Sequence, residues 1–102
     1  MALDTVPATI LEQLGGLGRL TAMLGAHCVT GGHDVLCFRF RARAVNKSNT
    51  IRVRLAGDDT YTVEFLHYRA RPGTRLVSAT SGVYADSLRA VIEGETGLRL
   101  SL

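Results

Sequence analysis

Three groups of side chains in this chain have types and spacings that could do chemistry. The first is a run of arginines. Arg39, Arg41 and Arg43 recur at every second residue, and Arg52 and Arg54 repeat the spacing further along. On an extended strand, residues two apart share a face about 7 Å from one another. If the two runs pair as a hairpin through residues 46–49, up to five guanidiniums lie on one side of a sheet. Phosphates along a single nucleic-acid strand are spaced similarly, so such a face could track that backbone. Bidentate pairing with carboxylates makes an acidic protein surface the other target. Tyr68 is the aromatic expected beside these arginines, because Phe38 and Phe40 fall on the opposite face and the chain has no tryptophan.

The second group is His27, Cys28, His33 and Cys37, two cysteines and two histidines within eleven residues. That set invites a zinc reading. The spacing argues against it: there is no Cys-x-x-Cys pair, and adjacent His27 and Cys28 on a strand point to opposite faces. The third group is nucleophilic. Cys28 or Cys37 with a histidine, or Ser81 with His67 and an aspartate, can be assembled on paper, but no nucleophile elbow supports them. Asp58 and Asp59 stand in a turn, where aspartate is expected anyway. The glycine-rich stretch at residues 14–18 lacks the Lys-Ser/Thr of a phosphate loop and has no strand before it, so it reads as a helix–helix turn. Neither enzymatic activity nor a cofactor is expected.

The charge pattern isolates the arginines further. The 102 residues carry 12 basic and 9 acidic side chains, a net +3. Residues 39–75 hold nine of the basic groups and three of the acids, so this middle is +6 and the flanks together −3. Lys47 is the only lysine, and a preference for arginine is also what a GC-rich genome would produce. With 46% hydrophobic and 21% charged residues, the composition suits one globular domain. No apolar run approaches the ~18–20 residues that span a bilayer. The N-terminus lacks the basic-then-apolar pattern of a signal peptide. Two cysteines without that pattern point to a reducing cytoplasm rather than a disulfide scaffold.

The elements that must position these groups follow from periodicity. Asp4 as N-cap and Pro7 in the first turn open a helix. Ile10, Leu11 and Leu14 fall on one face, and Gly15-Gly16 ends it. Leu17, Leu20 and Leu24 mark a second helix closed by Gly25. The period then changes from 3.6 to 2. A short strand near residues 27–29 leads to a long one over 34–45, where Val35, Cys37, Arg39, Arg41 and Arg43 oppose Leu36, Phe38, Phe40, Ala42 and Ala44. Strands over 50–56, 60–69 and 76–80 follow, with turns at 46–49, 57–59 and 71–74. Ser81-Gly82 breaks the pattern. Tyr84, Leu88, Val91 and Ile92 then form a helical face, ended by Gly94 or Gly97, and Leu98, Leu100 and Leu102 alternate to the last residue. The expected fold is α+β, a single domain over residues 1–102. N-terminal helices precede an antiparallel meander of about four strands and a C-terminal helix, with the helices on one sheet face.

Several segments also resemble a known family. They are Asp59-Thr-Tyr61-Thr-Val-Glu64-Phe65, Gly82-Val-Tyr84-Ala85-Asp86-Ser-Leu88-Arg89 and Glu93-Gly-Glu-Thr96-Gly97-Leu98. Ile10-Leu-Glu-Gln13-Leu14-Gly15-Gly16 and Met23-Leu-Gly25-Ala26 match as well. Together they are similar to small proteins of about 100 residues encoded by bacteriophages, prophages and integrative mobile elements. The resemblance brings no activity with it. It implies an accessory protein acting in a bacterial cytoplasm by binding, with Tyr84 and Leu88 seating the last helix. In that family the positions of His27, Cys28, His33 and Cys37 are not Cys or His, a further argument against zinc.

Two expectations follow. One is a nucleic-acid-binding module using Arg39, Arg41, Arg43, Arg52, Arg54 and Tyr68. The other is a protein-interaction module that modulates a host defence or replication protein. A homodimer through an edge strand or the residue 98–102 tail is left open.

Overall fold

The computed structural model describes residues 5–69 and 73–100. The expected N-cap at Asp4, the start of the 71–74 turn and the final Leu102 lie outside them. Helix α1 (Thr5–Gln13) and helix α2 (Leu17–Leu24) form where the leucine spacing places them. Gly15 and Gly16 adopt φ of 105° and 87° at the corner between them. These are backbone angles that a side chain resists.

Five strands follow: β1 (His27–Gly31), β2 (Val35–Arg39), β3 (Thr50–Leu55), β4 (Tyr61–His67) and β5 (Arg75–Val83). They make one antiparallel meander in sequence order, slightly larger than the expected four strands. Helix α3 (Leu88–Thr96) closes the chain, preceded by a 3-10 turn at Ala85–Ser87. Among the described residues no helix is long and apolar enough to cross a membrane.

The helices pack on one face of the sheet. Leu36 and Phe38 of β2, Ile51 and Val53 of β3, and Val63 and Phe65 of β4 are fully buried there against Ile10, Leu20, Leu24, Leu88 and Ile92. This is the alternation expected of a sheet with one covered face. Truncating Phe38 or Phe65 to alanine in so closed a core costs about 3–5 kcal/mol. Leu100, in the tail, is also fully buried, and its N–H donates to Glu93 Oε2 at 2.9 Å.

Three expectations need correction. The first concerns the long strand over 34–45, which ends at Arg39. Phe40 still donates to Asn49 O (2.9 Å), but the next two N–H groups, of Arg41 and Ala42, both donate to Leu24 O at 3.0 Å. A helix end has carbonyls with no partner inside the helix, and α2 draws the chain out of the sheet with one. Val45 then donates to Thr96 O at the end of α3 (2.8 Å). Gly25 makes the crossing feasible: its φ is 68°, and a Cβ there would stand 3.1 Å from Arg41 Cβ. Arg41 and Arg43 are therefore on a connecting segment and not on a strand face.

The second correction is at Ser81-Gly82. β5 runs through both to Val83, accommodating Gly82 at φ 68°. The third is Tyr84. It precedes the 3-10 turn and is 67% exposed, so Leu88, fully buried, seats α3 without it. Gly97, not Gly94, ends that helix in a left-handed cap.

Candidate functional site

The face of the sheet away from the helices carries the strand arginines. Pairing places Cys37, Arg52, Glu64 and Ala79 in one cross-strand row, and Arg39, Thr50, Leu66 and Leu76 in the next. The β3–β4 hairpin thus brings Arg52 opposite Glu64. The pair is bidentate: Arg52 Nε donates to Oε1 at 2.8 Å and Nη2 to Oε2 at 3.0 Å. The bonded guanidinium holds the Glu64 carboxyl below its usual range, and the carboxylate in turn raises Arg52. The charge of Arg52 is largely spent inside the sheet. Among the described residues this is the only ion pair.

Arg39 is also engaged. Its guanidinium lies 3.9 Å from the centroid of the Tyr68 ring, a cation–π contact. Tyr68 is fixed through its backbone: its N–H donates to Asn49 Oδ1 at 2.6 Å, and Asn49 Nδ2 donates to Tyr68 O at 3.1 Å. These groups frame an open cleft of about 500 Å³ whose lining includes Cys37, Arg39, Arg52, Leu66, Tyr68 and Leu76. Strand alternation puts Phe65 in the core and Leu66 on the cleft side, and both are buried. Burial pushes the Cys37 thiol up, against the opposing pull of Arg52 and Arg39. Cys28, exposed and at φ 52°, opens into the same cleft.

Five further basic groups gather at one end of the sheet. β2 finishes there, β3 starts, β4 finishes and β5 starts. Arg41, Arg43, Lys47 and His67 line one hollow of about 470 Å³. His67, Arg69 and Arg75 line a smaller one of about 140 Å³. His67 belongs to both and ties them together. Its Nε2 accepts from Arg69 Nε at 3.2 Å and its Nδ1 faces Lys47 O at 3.0 Å, so the proton of that tautomer sits on Nδ1. Arg41, Arg43, Lys47, Arg69 and Arg75 are all exposed. Residues 39–49, 67–69 and 73–75 contain no carboxylate.

The opposite end is different. There the Asp34 carbonyl accepts from Leu55 N at 2.8 Å, and Asp58 and Asp59 form the β3–β4 turn. Asp58 caps Thr60 through its hydroxyl (2.6 Å) and its N–H (3.2 Å), which lowers the Asp58 carboxyl. Arg54, in register with Val35 and Thr62, belongs to this half of the sheet.

The five arginines expected on one face are therefore divided. Arg39 and Arg52 share the cleft with Tyr68. Arg54 stands toward the acidic end, and Arg41 and Arg43 join a basic end with Lys47, Arg69 and Arg75. The positional charge count over 39–75 contains that cluster, but only the hairpin register brings its parts together. His27 is turned away, with Nδ1 3.1 Å from Gly25 O. Among the described residues no three His, Cys, Asp or Glu side chains assemble to hold a metal ion. Ser81 is near the far end of β5 from His67, whose register partner is Arg75. No family model matches the chain, and neither a curated protein nor a solved structure is found similar to it.

Proposed function

We propose that this chain is a non-enzymatic accessory protein of a bacteriophage or mobile element that binds nucleic acid in the bacterial cytoplasm. The family resemblance supports the setting. The observation that carries the binding is the basic end of the sheet. Exposed Arg41, Arg43, Lys47, Arg69 and Arg75 flank the half-buried Arg39 beside an exposed tyrosine, on segments without a single acid. A phosphate backbone is attracted by such a concentration of cations and releases counterions on binding. Tyr68 adds a stacking surface, which single strands can use and a closed duplex cannot.

Fluorescence anisotropy with labelled single-stranded and duplex oligonucleotides at low salt tests this. The expected result is binding by the single strand that weakens steeply as salt is added. No change at tens of micromolar protein would remove the proposal, since even non-specific binding falls at about 1–100 µM.

One observation favours a second reading. Leu76 is 54% exposed next to Tyr68 on the uncovered face, and an apolar spot rimmed by cations also fits an acidic protein surface, such as a host defence or replication protein. A complex recovered from host lysate that survives nuclease treatment would favour that reading.

A further inference from the structure

The cleft contains a guanidinium that is already fixed and still has donors to give. Arginine has five N–H groups in a planar fork. The side-on pair with Glu64 uses one on Nε and one on Nη2. The other three have no acceptor among the described residues, and two of them form the end-on edge of the fork. Arg52 lines the cleft, whereas Glu64 does not. Glu64 thus acts as a splint: it holds the guanidinium in one orientation, so a ligand need not immobilise a flexible side chain. Around it stand a half-buried Cys37, Leu66, the exposed Leu76 and the Arg39–Tyr68 stack. A flat, partly apolar ligand with two adjacent acceptors fits this lining, and about 500 Å³ is ordinary for a ligand pocket.

We propose that the cleft seats a guanine base of an unpaired strand. The inference rests on the nucleic-acid reading above and adds a base preference to it. Guanine offers O6 and N7, two acceptors side by side, to the two end-on donors of Arg52. Adenine sets an N–H₂ donor beside N7 and leaves one arginine donor opposed by another. Tyr68 and the Arg39 guanidinium supply planar surfaces for stacking. The base must be unpaired, because a base inside a duplex stack cannot enter a cleft in a sheet face. The phosphates on either side of it would meet the basic end, where Arg75 directly follows the cleft residue Thr74.

The test compares thymidine oligomers carrying one central guanine, adenine or 7-deazaguanine, the last lacking only the N7 acceptor. Anisotropy should give about tenfold tighter binding for guanine than adenine, with most of the advantage lost on 7-deazaguanine. Arg52→Lys keeps the charge but not the fork. It should abolish the preference, so that guanine, adenine and 7-deazaguanine oligomers bind alike. A second measurement uses the unaltered protein. Alkylation of Cys28 by iodoacetamide should slow when the guanine oligomer is bound, and less so with the all-thymidine one. Equal affinity for all three bases, a preference that survives Arg52→Lys, or unprotected Cys28 overturns the guanine site while nucleic-acid binding stands. Binding by none of the oligomers removes both.

Discussion

The arginines of the ladder recur at every second residue within each run of the chain, yet they divide into two groups with opposite fates in the fold. Arg39 and Arg52 remain in the sheet, and each has acquired a partner: a tyrosine ring at 3.9 Å and a bidentate glutamate. Arg41 and Arg43 leave it with the backbone, because Leu24 at the end of α2 offers a carbonyl that the next strand does not match. They remain exposed and join Lys47 and His67. A repeat of charge in the chain is therefore not a repeat of function. The strand half is a recognition surface whose guanidiniums already have partners, and the connecting half supplies exposed charge. In energetic terms the first half should affect stability and selectivity, and the second should affect salt-dependent affinity.

The largest way to break this contrast is at Gly25. Gly25→Ala must hold a side chain at φ 68° with its Cβ 3.1 Å from Arg41 Cβ. It should cost about 2 kcal/mol in urea unfolding and disturb the placement of Arg41. An unchanged midpoint would mean that the crossing over α2 is slack. Next is the double variant Arg41→Ala/Arg43→Ala. Stability should hold within about 0.5 kcal/mol, as for most exposed sites, while the slope of log affinity against log salt falls by about two. Arg52→Ala should show the reverse for an all-thymidine oligomer. It should lose about 1 kcal/mol of stability with little change in the salt slope.

The same pair gives a pH dependence whose sign is fixed. Glu64 is lowered in the folded protein, so the unfolded state takes up its proton first as pH falls. Its contribution is fully present above the unfolded glutamate value, about 4.3, and is lost as pH drops through the lower folded value. Wild-type stability should therefore decline more than that of Glu64→Gln between about pH 6 and pH 3. Parallel declines would mean that the pair is not coupled to folding. The smallest effect belongs to Tyr68→Ala. Loss of the exposed cation–π contact costs about 0.5–1 kcal/mol, since the Asn49 bonds hold only the backbone of residue 68.

Much of this architecture can be read from the chain. Ile51, Val53, Tyr61, Val63 and Phe65 alternate cleanly, and the Gly-Asp-Asp turn at 57–59 sits midway between Arg52 and Glu64. Gly15, Gly16, Gly25 and Gly97 end helices as their type suggests. The exit of the chain at Phe40 was not legible. Ala42 and Ala44 continue the period of two, and the carbonyls that divert the backbone belong to Leu24 and Thr96, far away in sequence. The continuation of β5 through Gly82 was hidden for a related reason: pairing of Val83 with Tyr61 outweighs the local break. For the site, the arginine types and the excess of charge over 39–75 were visible. Their division into a splinted pair and a free cluster was not, because it depends on where one strand stops.

The central claim is that exposed cations at one end of the sheet hold a phosphate backbone. The most direct measurement is the salt dependence of single-strand binding for the wild type and for Arg41→Ala/Arg43→Ala, by anisotropy between about 50 and 200 mM salt. The account predicts a steep loss of affinity for the wild type and a slope shallower by about two for the variant. Identical slopes, or a wild type that binds no strand at any of these salts, would contradict it.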